Sequence, residues 1–178
     1  MIKTARLHIR PRTISDLDKV HSAKMDVKTD LMRWMSWASE SQFKYSATEH
    51  FIRQQNEPTE TYDGWLGMSL ATDDFVIACG LRQTYPGVYK TGYWVAKHYL
   101  NLGYATEACR AMVMFAFEAL NATSVQIDHF EGNEKSKRVI EKVGFQFTHT
   151  EPEGLFCHAL QKKVSVLHYE IKKTEVTS

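Results

Sequence analysis

Two short runs hold most of the chemistry this sequence could perform. In Tyr99-Leu100-Asn101-Leu102-Gly103-Tyr104-Ala105-Thr106-Glu107-Ala108, a small-residue turn opens a helix. Such a turn leaves several backbone N–H groups unpaired, and with the helix dipole they favour a phosphate or pyrophosphate. Gly103 and Ala105 let a ligand approach the backbone closely. In Asn133-Glu134-Lys135-Ser136, Asn133 is a helix-capping residue and Ser136 lies three residues in, so an amide and a hydroxyl share one helix start. Residue types alone also allow a plain turn in the first run and an ordinary capped helix in the second. Together the two helix starts could face one cleft.

The elements that must position them can be read from periodicity. Leu7 and Ile9 alternate with polar residues as a first strand, and Ser15 caps a helix carrying Leu17 and Val20. Ser46 and Glu49 form a capping-box pair ahead of Phe51 and Ile52. Strand-like runs at 65–71, 75–81 and 89–95, separated by Asp73-Asp74 and Pro86-Gly87, predict an antiparallel meander. Tyr104, Ala108, Met112, Phe115 and Ala119 then define one apolar face of a long helix, leaving Glu107, Arg110 and Glu118 in water. A strand at 125–129 follows, then a helix from Asn133 with Val139, Ile140 and Val143 inward and Gly144 as its left-handed end. Strands at 145–149 and 164–171 complete an α/β (α+β) chain with a mixed, mostly antiparallel sheet flanked by helices.

Composition sets the outer limits. The chain has 178 residues with 22 Lys plus Arg against 21 Asp plus Glu, which predicts a single domain over 1–178, with loose segments at 56–63 and 174–178. A net charge of +1 supplies no global basic field, so direct nucleic-acid binding is not expected. Cys79, Cys109 and Cys157 are odd in number and far apart, which disfavours a disulfide framework or a zinc knuckle and predicts buried free thiols and no metal. Neither a secretory leader nor an apolar span is evident, so a cytoplasmic protein with no membrane partner is the expectation.

Several of these residues also carry a resemblance. Gly92-Tyr93-Trp94-Val95, Gly103-Tyr104-Ala105-Thr106-Glu107-Ala108, Ala116-Phe117, Asn133 with Ser136, and Glu141-Lys142-Val143-Gly144-Phe145 resemble the GNAT superfamily of acetyl-coenzyme A dependent N-acetyltransferases. With Thr4-Ala5-Arg6-Leu7-His8-Ile9-Arg10-Pro11 and Leu31-Met32-Arg33-Trp34-Met35-Ser36-Trp37, the chain is similar to the ribosomal-protein N-terminal acetyltransferase branch, the RimJ/RimL type. The resemblance implies acetyl-CoA as co-substrate. Its pantetheine would run beside Trp94 and Val95, its pyrophosphate in the loop of Leu100, Asn101, Leu102, Gly103, Tyr104, Ala105 and Thr106, and its thiol end beside Asn133 and Ser136. Where the family's loop usually begins with Arg or Gln, this chain has Leu100. Because the family's phosphate contacts are mainly from backbone, binding should survive, with weaker affinity.

The implied reaction is attack of a neutral amine on the thioester carbonyl. Ser136 is the candidate for protonating the leaving thiolate, and Glu153, with Glu151 and His149 as further candidates, for the base. The acceptor side would be lined by Trp34, Met35 and Trp37, with Tyr62 and Trp65 as further candidates. With a reference pKa of about 7.7–8.0, roughly a tenth of a protein α-amine is neutral at pH 7, far more than of a lysine side chain at about 10.4. A site without a strong base therefore suits a protein N-terminus. A small amine such as a polyamine, amino acid or antibiotic, and an acyl-coenzyme-binding module without turnover, are the alternatives; self-association as a homodimer is left open.

Overall fold

The structure is a computed structural model describing residues 1–54 and 62–175. Most of the expected loose segment at 56–63, and the last three residues of the expected tail, lie outside the described residues. One eight-stranded sheet organises the rest: β1 (Ile2–Lys3), β2 (Leu7–Arg10), β3 (Trp65–Ser69), β4 (Phe75–Tyr85), β5 (Val88–Val95), β6 (Ser124–Phe130), β7 (Gln146–Cys157) and β8 (Lys162–Lys172), in spatial order β1-β2-β3-β4-β5-β6-β8-β7. The expected β3–β4–β5 meander is present, and every pairing is antiparallel except β5 with β6.

That parallel pairing is short. Its register covers only Val88 to Lys90 against Ser124 to Gln126, while β5 stays paired with β4 up to Val95 and β6 with β8 up to Phe130. Each strand follows its own antiparallel half, and the sheet splays open between them. Helices α4 (Tyr104–Ala119) and α5 (Glu134–Val143) cover one face, and α1 (Leu17–Asp26), α2 (Lys28–Trp34) and α3 (Tyr45–Arg53) pack on the other. Among the described residues no helix is long and apolar enough to cross a membrane.

Local details correct several sequence expectations. The start of α1 is organised by Asp16 rather than Ser15: its carboxylate accepts the Thr13 N–H at 2.7 Å and hydroxyl at 2.8 Å, and pairs with the Arg10 guanidinium. Burial alone would raise the Asp16 pKa, but these donors outweigh it and hold the carboxyl below its ordinary range. Ser46 lies inside the first turn of α3, which begins at Tyr45. On α4 the buried stripe runs through Ala108, Cys109, Met112, Val113, Ala116 and Phe117, and Ala119 is exposed. The expected face was rotated because Tyr104 and Phe115 are only partly buried at its margin. All three cysteines are free and buried, and burial pushes the Cys79 and Cys109 thiols up to about 12.

Candidate active site

The splay opens into a cleft of about 290 Å³. Its walls are Trp94 and Val95 on β5, the loop and helix start through Asn101, Gly103 and Thr106, the first turns of α5, and α2 with Trp34 and Met35. Antiparallel alternation shows which β5 groups face it. Ala96 donates its N–H to the Val76 carbonyl at 2.8 Å, so the backbone of Trp94, two residues earlier, also points to β4. The peptide groups of Tyr93 and Val95 therefore point into the splay. Trp94 contributes its side chain and Val95 its backbone, which divides the expected pair of contacts between two kinds.

The α4 start is an anion-accepting backbone. Asn101 at φ 62 and Gly103 at φ 84 are both left-handed, and alternating hands turn successive N–H groups toward one side. Asn tolerates this conformation and Gly adopts it without steric cost. The loop is fixed from the far edge of the sheet. Arg6 donates to the Leu102 carbonyl at 2.9 Å and to Glu107 at 2.7 Å, and its guanidinium lies 4.0 Å from the Tyr104 ring centroid. Thr4 donates to the same Glu107 carboxylate at 2.6 Å. Glu107 is thus no solvated residue, contrary to expectation. Although burial opposes it, the Thr4 and Arg6 hydrogen bonds hold the Glu107 carboxyl below its usual range.

The facing wall supplies positive charge that sequence reasoning missed. Lys135, Arg138 and Lys142 of α5 all line the cleft. Their spacing of three and four residues was the available signal, since it places them on one helix face. Arg110 of α4 donates to the Lys142 carbonyl at 2.8 Å, tying the two helices together. Asn133 accepts the Ser136 N–H at 3.2 Å, the expected cap.

At the floor of the cleft the Ser136 hydroxyl lies 3.3 Å from the Tyr93 hydroxyl. Burial, first, pushes the Tyr93 phenol above its ordinary pKa, so it remains a protonated donor. Tyr93 was quoted in the sequence pattern without a role; the fold gives it one.

The opposite wall is built from distant segments. Trp34 packs with Phe130, Cys157 and Val166, and the turn between β7 and β8 is fastened to the end of α2. Ala159 donates its N–H to the Met32 carbonyl at 3.0 Å, the Cys157 thiol donates to the Arg33 carbonyl at 3.3 Å, and His158 donates to the Ser36 carbonyl at 2.7 Å.

The sequence-derived candidates separate clearly. Trp94, Val95, Leu100, Asn101, Gly103, Tyr104, Ala105, Thr106, Asn133, Ser136, Trp34 and Met35 come together in the cleft. Leu102 and Trp37 are exposed and lie outside its lining, as do Glu153, Glu151 and His149 on β7. Glu153 sits at φ 50 where the β7–β8 register shifts, beside Pro152 and Gly154. Tyr62 and Trp65 pack edge to face with each other and against Phe115, within the core cluster under α4. Among the described residues no group of three or more His, Cys, Asp or Glu is placed to hold a metal.

A splayed sheet with a left-handed turn at the helix start beside the gap defines an acetyltransferase (GNAT) domain, and that family matches residues 6–146. The chain belongs to it. It is 36% identical over 84 residues to YdaF of Bacillus subtilis, assigned as a ribosomal N-acetyltransferase; that match spans 47% of this chain and 45% of YdaF. Its fold is that of a GNAT-family acetyltransferase from Bacillus anthracis (TM-score 0.83, 22% identity, 98% of this chain and 99% of the other). It is likewise that of RimL, a ribosomal alpha-N-protein acetyltransferase in complex with coenzyme A (TM-score 0.84, 13% identity, 95% of each chain).

Proposed function

We propose that the chain is an acetyl-CoA-dependent N-acetyltransferase that modifies the N-terminal α-amine of a protein, with a ribosomal protein as the target class, in the cytoplasm. The carrying observation is the pair of protonated hydroxyls, Tyr93 and Ser136, at the floor of a cleft whose other lining suits a long anionic ligand. Backbone N–H groups from Asn101 to Thr106 and the cations Lys135, Arg138 and Lys142 suit phosphates, and the Tyr93 and Val95 peptide groups suit an amide-bearing arm. When bound, the acetyl thioester supplies an activated carbonyl and a thiolate leaving group. The Val95 N–H, or its neighbour in the splay, polarises the carbonyl, and Ser136, backed by Tyr93, gives the departing sulfur a proton.

The acceptor side favours a peptide end. Val27, Leu31, Trp34 and Met35 make that part of the lining apolar, and among the described residues Asp30 is the one carboxylate in the lining. A polyamine would need more negative charge. Likeness to YdaF supports a ribosomal target. The test is thiol release from acetyl-CoA with a panel of acceptors. Peptides with a free N-terminus should stimulate release, the same peptides with a blocked N-terminus should not, and stimulation by small amines alone would refute the peptide reading.

A further inference from the structure

A chain of ionisable side chains crosses the sheet on its α2 face. Trp94 packs toward α1 and α2, so Gly92 and Lys90, of the same parity on β5, share that face. A Cβ built on Gly92 would meet nothing within 4 Å, so the space above it is open. Extending the β5–β6 register by two residues from Lys90 and Gln126 brings Gly92 level with Asp128 where the strands part. Asp128 is the direct partner of His168, and His168 of His149. The contacts run the same way. Lys90 and His168 both meet the Asp128 Oδ2 atom, the latter with its Nδ1 at 3.8 Å, and the His168 Nε2 lies 3.2 Å from the Glu151 Oε2. The His149 ring stacks on His168 at 4.5 Å, and Glu170 follows two residues along the same face of β8. Side-chain exposure rises along the path, from 19% at Asp128 and 23% at His168 to 53% at Glu151.

We propose that His168 is the group that takes the proton from the incoming amine, oriented by Asp128 and discharging to solvent through Glu151. This rests on the acetyltransferase reading above. Lys90 and His168 share the Asp128 Oδ2 atom, so Asp128 positions the ring, and Glu151 stands beside its Nε2 where water can collect the proton. The acceptor enters from the α2 face and the coenzyme from the α4–α5 face, so they meet in the splay. The ammonium gives one proton, through solvent above Gly92, to His168. The amine lone pair then forms the C–N bond as the C–S bond breaks and its electron pair stays on sulfur. As the amide forms, the second amine proton passes to the Ser136 oxygen while the Ser136 hydroxyl gives its own proton to sulfur, so one proton leaves through His168 and one ends on the thiol.

The experiment is chemical rescue. His168→Ala should lower kcat/KM for a free N-terminal peptide about 100-fold, in line with general-base contributions. Its Kd for coenzyme A, measured by calorimetry, should stay within twofold of the parent. Added imidazole should restore the rate at least about tenfold. Retained activity, or a loss that imidazole does not repair in a variant that still binds coenzyme A, overturns the proposal. If His168→Ala loses coenzyme binding, His168→Gln is read in the same way. Glu151→Gln, at an exposed position, should lower kcat about fivefold, and an unchanged kcat removes Glu151 and with it the exit path. A parent chain that transfers acetyl to no amine overturns both this inference and the acetyltransferase reading; normal transfer by the variants overturns this inference alone.

Discussion

The two sides of the cleft are made in different ways. The α4–α5 side comes from contiguous stretches between Tyr93 and Lys142, and much of what it offers is backbone: the Tyr93 and Val95 peptide groups and the left-handed turn at Asn101 and Gly103. The α2 side joins residues about 125 apart in sequence through Cys157, His158 and Ala159, and what it offers is side chains, Trp34 and Met35 above all. Backbone recognition tolerates changes of side chain, which is how a loop can start with Leu100 and still present its N–H groups. Side-chain recognition does not, so the α2 side is where specificity can change without disturbing the α4–α5 side.

Ser136→Ala should have the largest effect, lowering kcat about 100-fold while the Kd for coenzyme A stays within twofold, because a general acid acts only as the sulfur departs. Steady-state kinetics beside calorimetry would show the split. An unchanged kcat would leave Tyr93 as the proton donor and make Ser136 merely a capped residue.

Next is Gly103→Val, which tests the backbone side alone. An added Cβ would meet only the Arg6 Nη2, at 3.5 Å, an ordinary contact, so the cost is conformational. A left-handed non-glycine residue costs about 1–2 kcal/mol, which corresponds to coenzyme binding weaker by about tenfold if the turn yields instead. The KM for the peptide should not move. If it rises as much as the coenzyme Kd, the two sides are coupled and the contrast between them fails.

The mirror test is His158→Ala on the α2 side. It removes the hydrogen bond to the Ser36 carbonyl, worth about 0.5–1.5 kcal/mol, and should raise the peptide KM about threefold with coenzyme affinity unchanged. Calorimetric loss of coenzyme binding would show that this hairpin supports the donor site as well.

The same contrast explains what could be read from the sequence. Periodicity and punctuation placed β3 to β6, α4 and α5, because caps such as Asn133 and Gly144 act within a few residues. Helix α2 was missed: seven residues are too few for a helical period to show. Strand β7 runs past the expected end at 149 and through Pro152, since an edge strand accepts proline where no ladder bond is needed. In the site, the residues of the α4–α5 side were legible as a local motif. Glu153 was not placed by any local rule, and the Arg6–Glu107 clasp, spanning 101 residues, leaves no trace in spacing.

That clasp gives the smallest effect and the sharpest link between the far edge of the sheet and the donor loop. The Glu107 carboxyl is held below its ordinary range in the fold, so its ionised form contributes stability at every pH above the unfolded carboxyl value of about 4.3. The contribution is lost as pH falls through the depressed folded value. Arg6 is 43% exposed, so its charge is partly screened and the contribution should be about 1 kcal/mol, or roughly 2–4 °C in Tm for a chain of this size. Glu107→Gln should therefore melt lower than the parent at pH 7, and the gap should narrow as pH is taken from about 4.3 downward. With its partner neutralised, Arg6 holds the Leu102 carbonyl less firmly, and coenzyme affinity should fall about twofold. A gap that stays constant down to pH 3 would show that Glu107 acts through packing on Thr4 rather than through its charge, and the donor loop would then owe its shape to Asn101 and Gly103 alone.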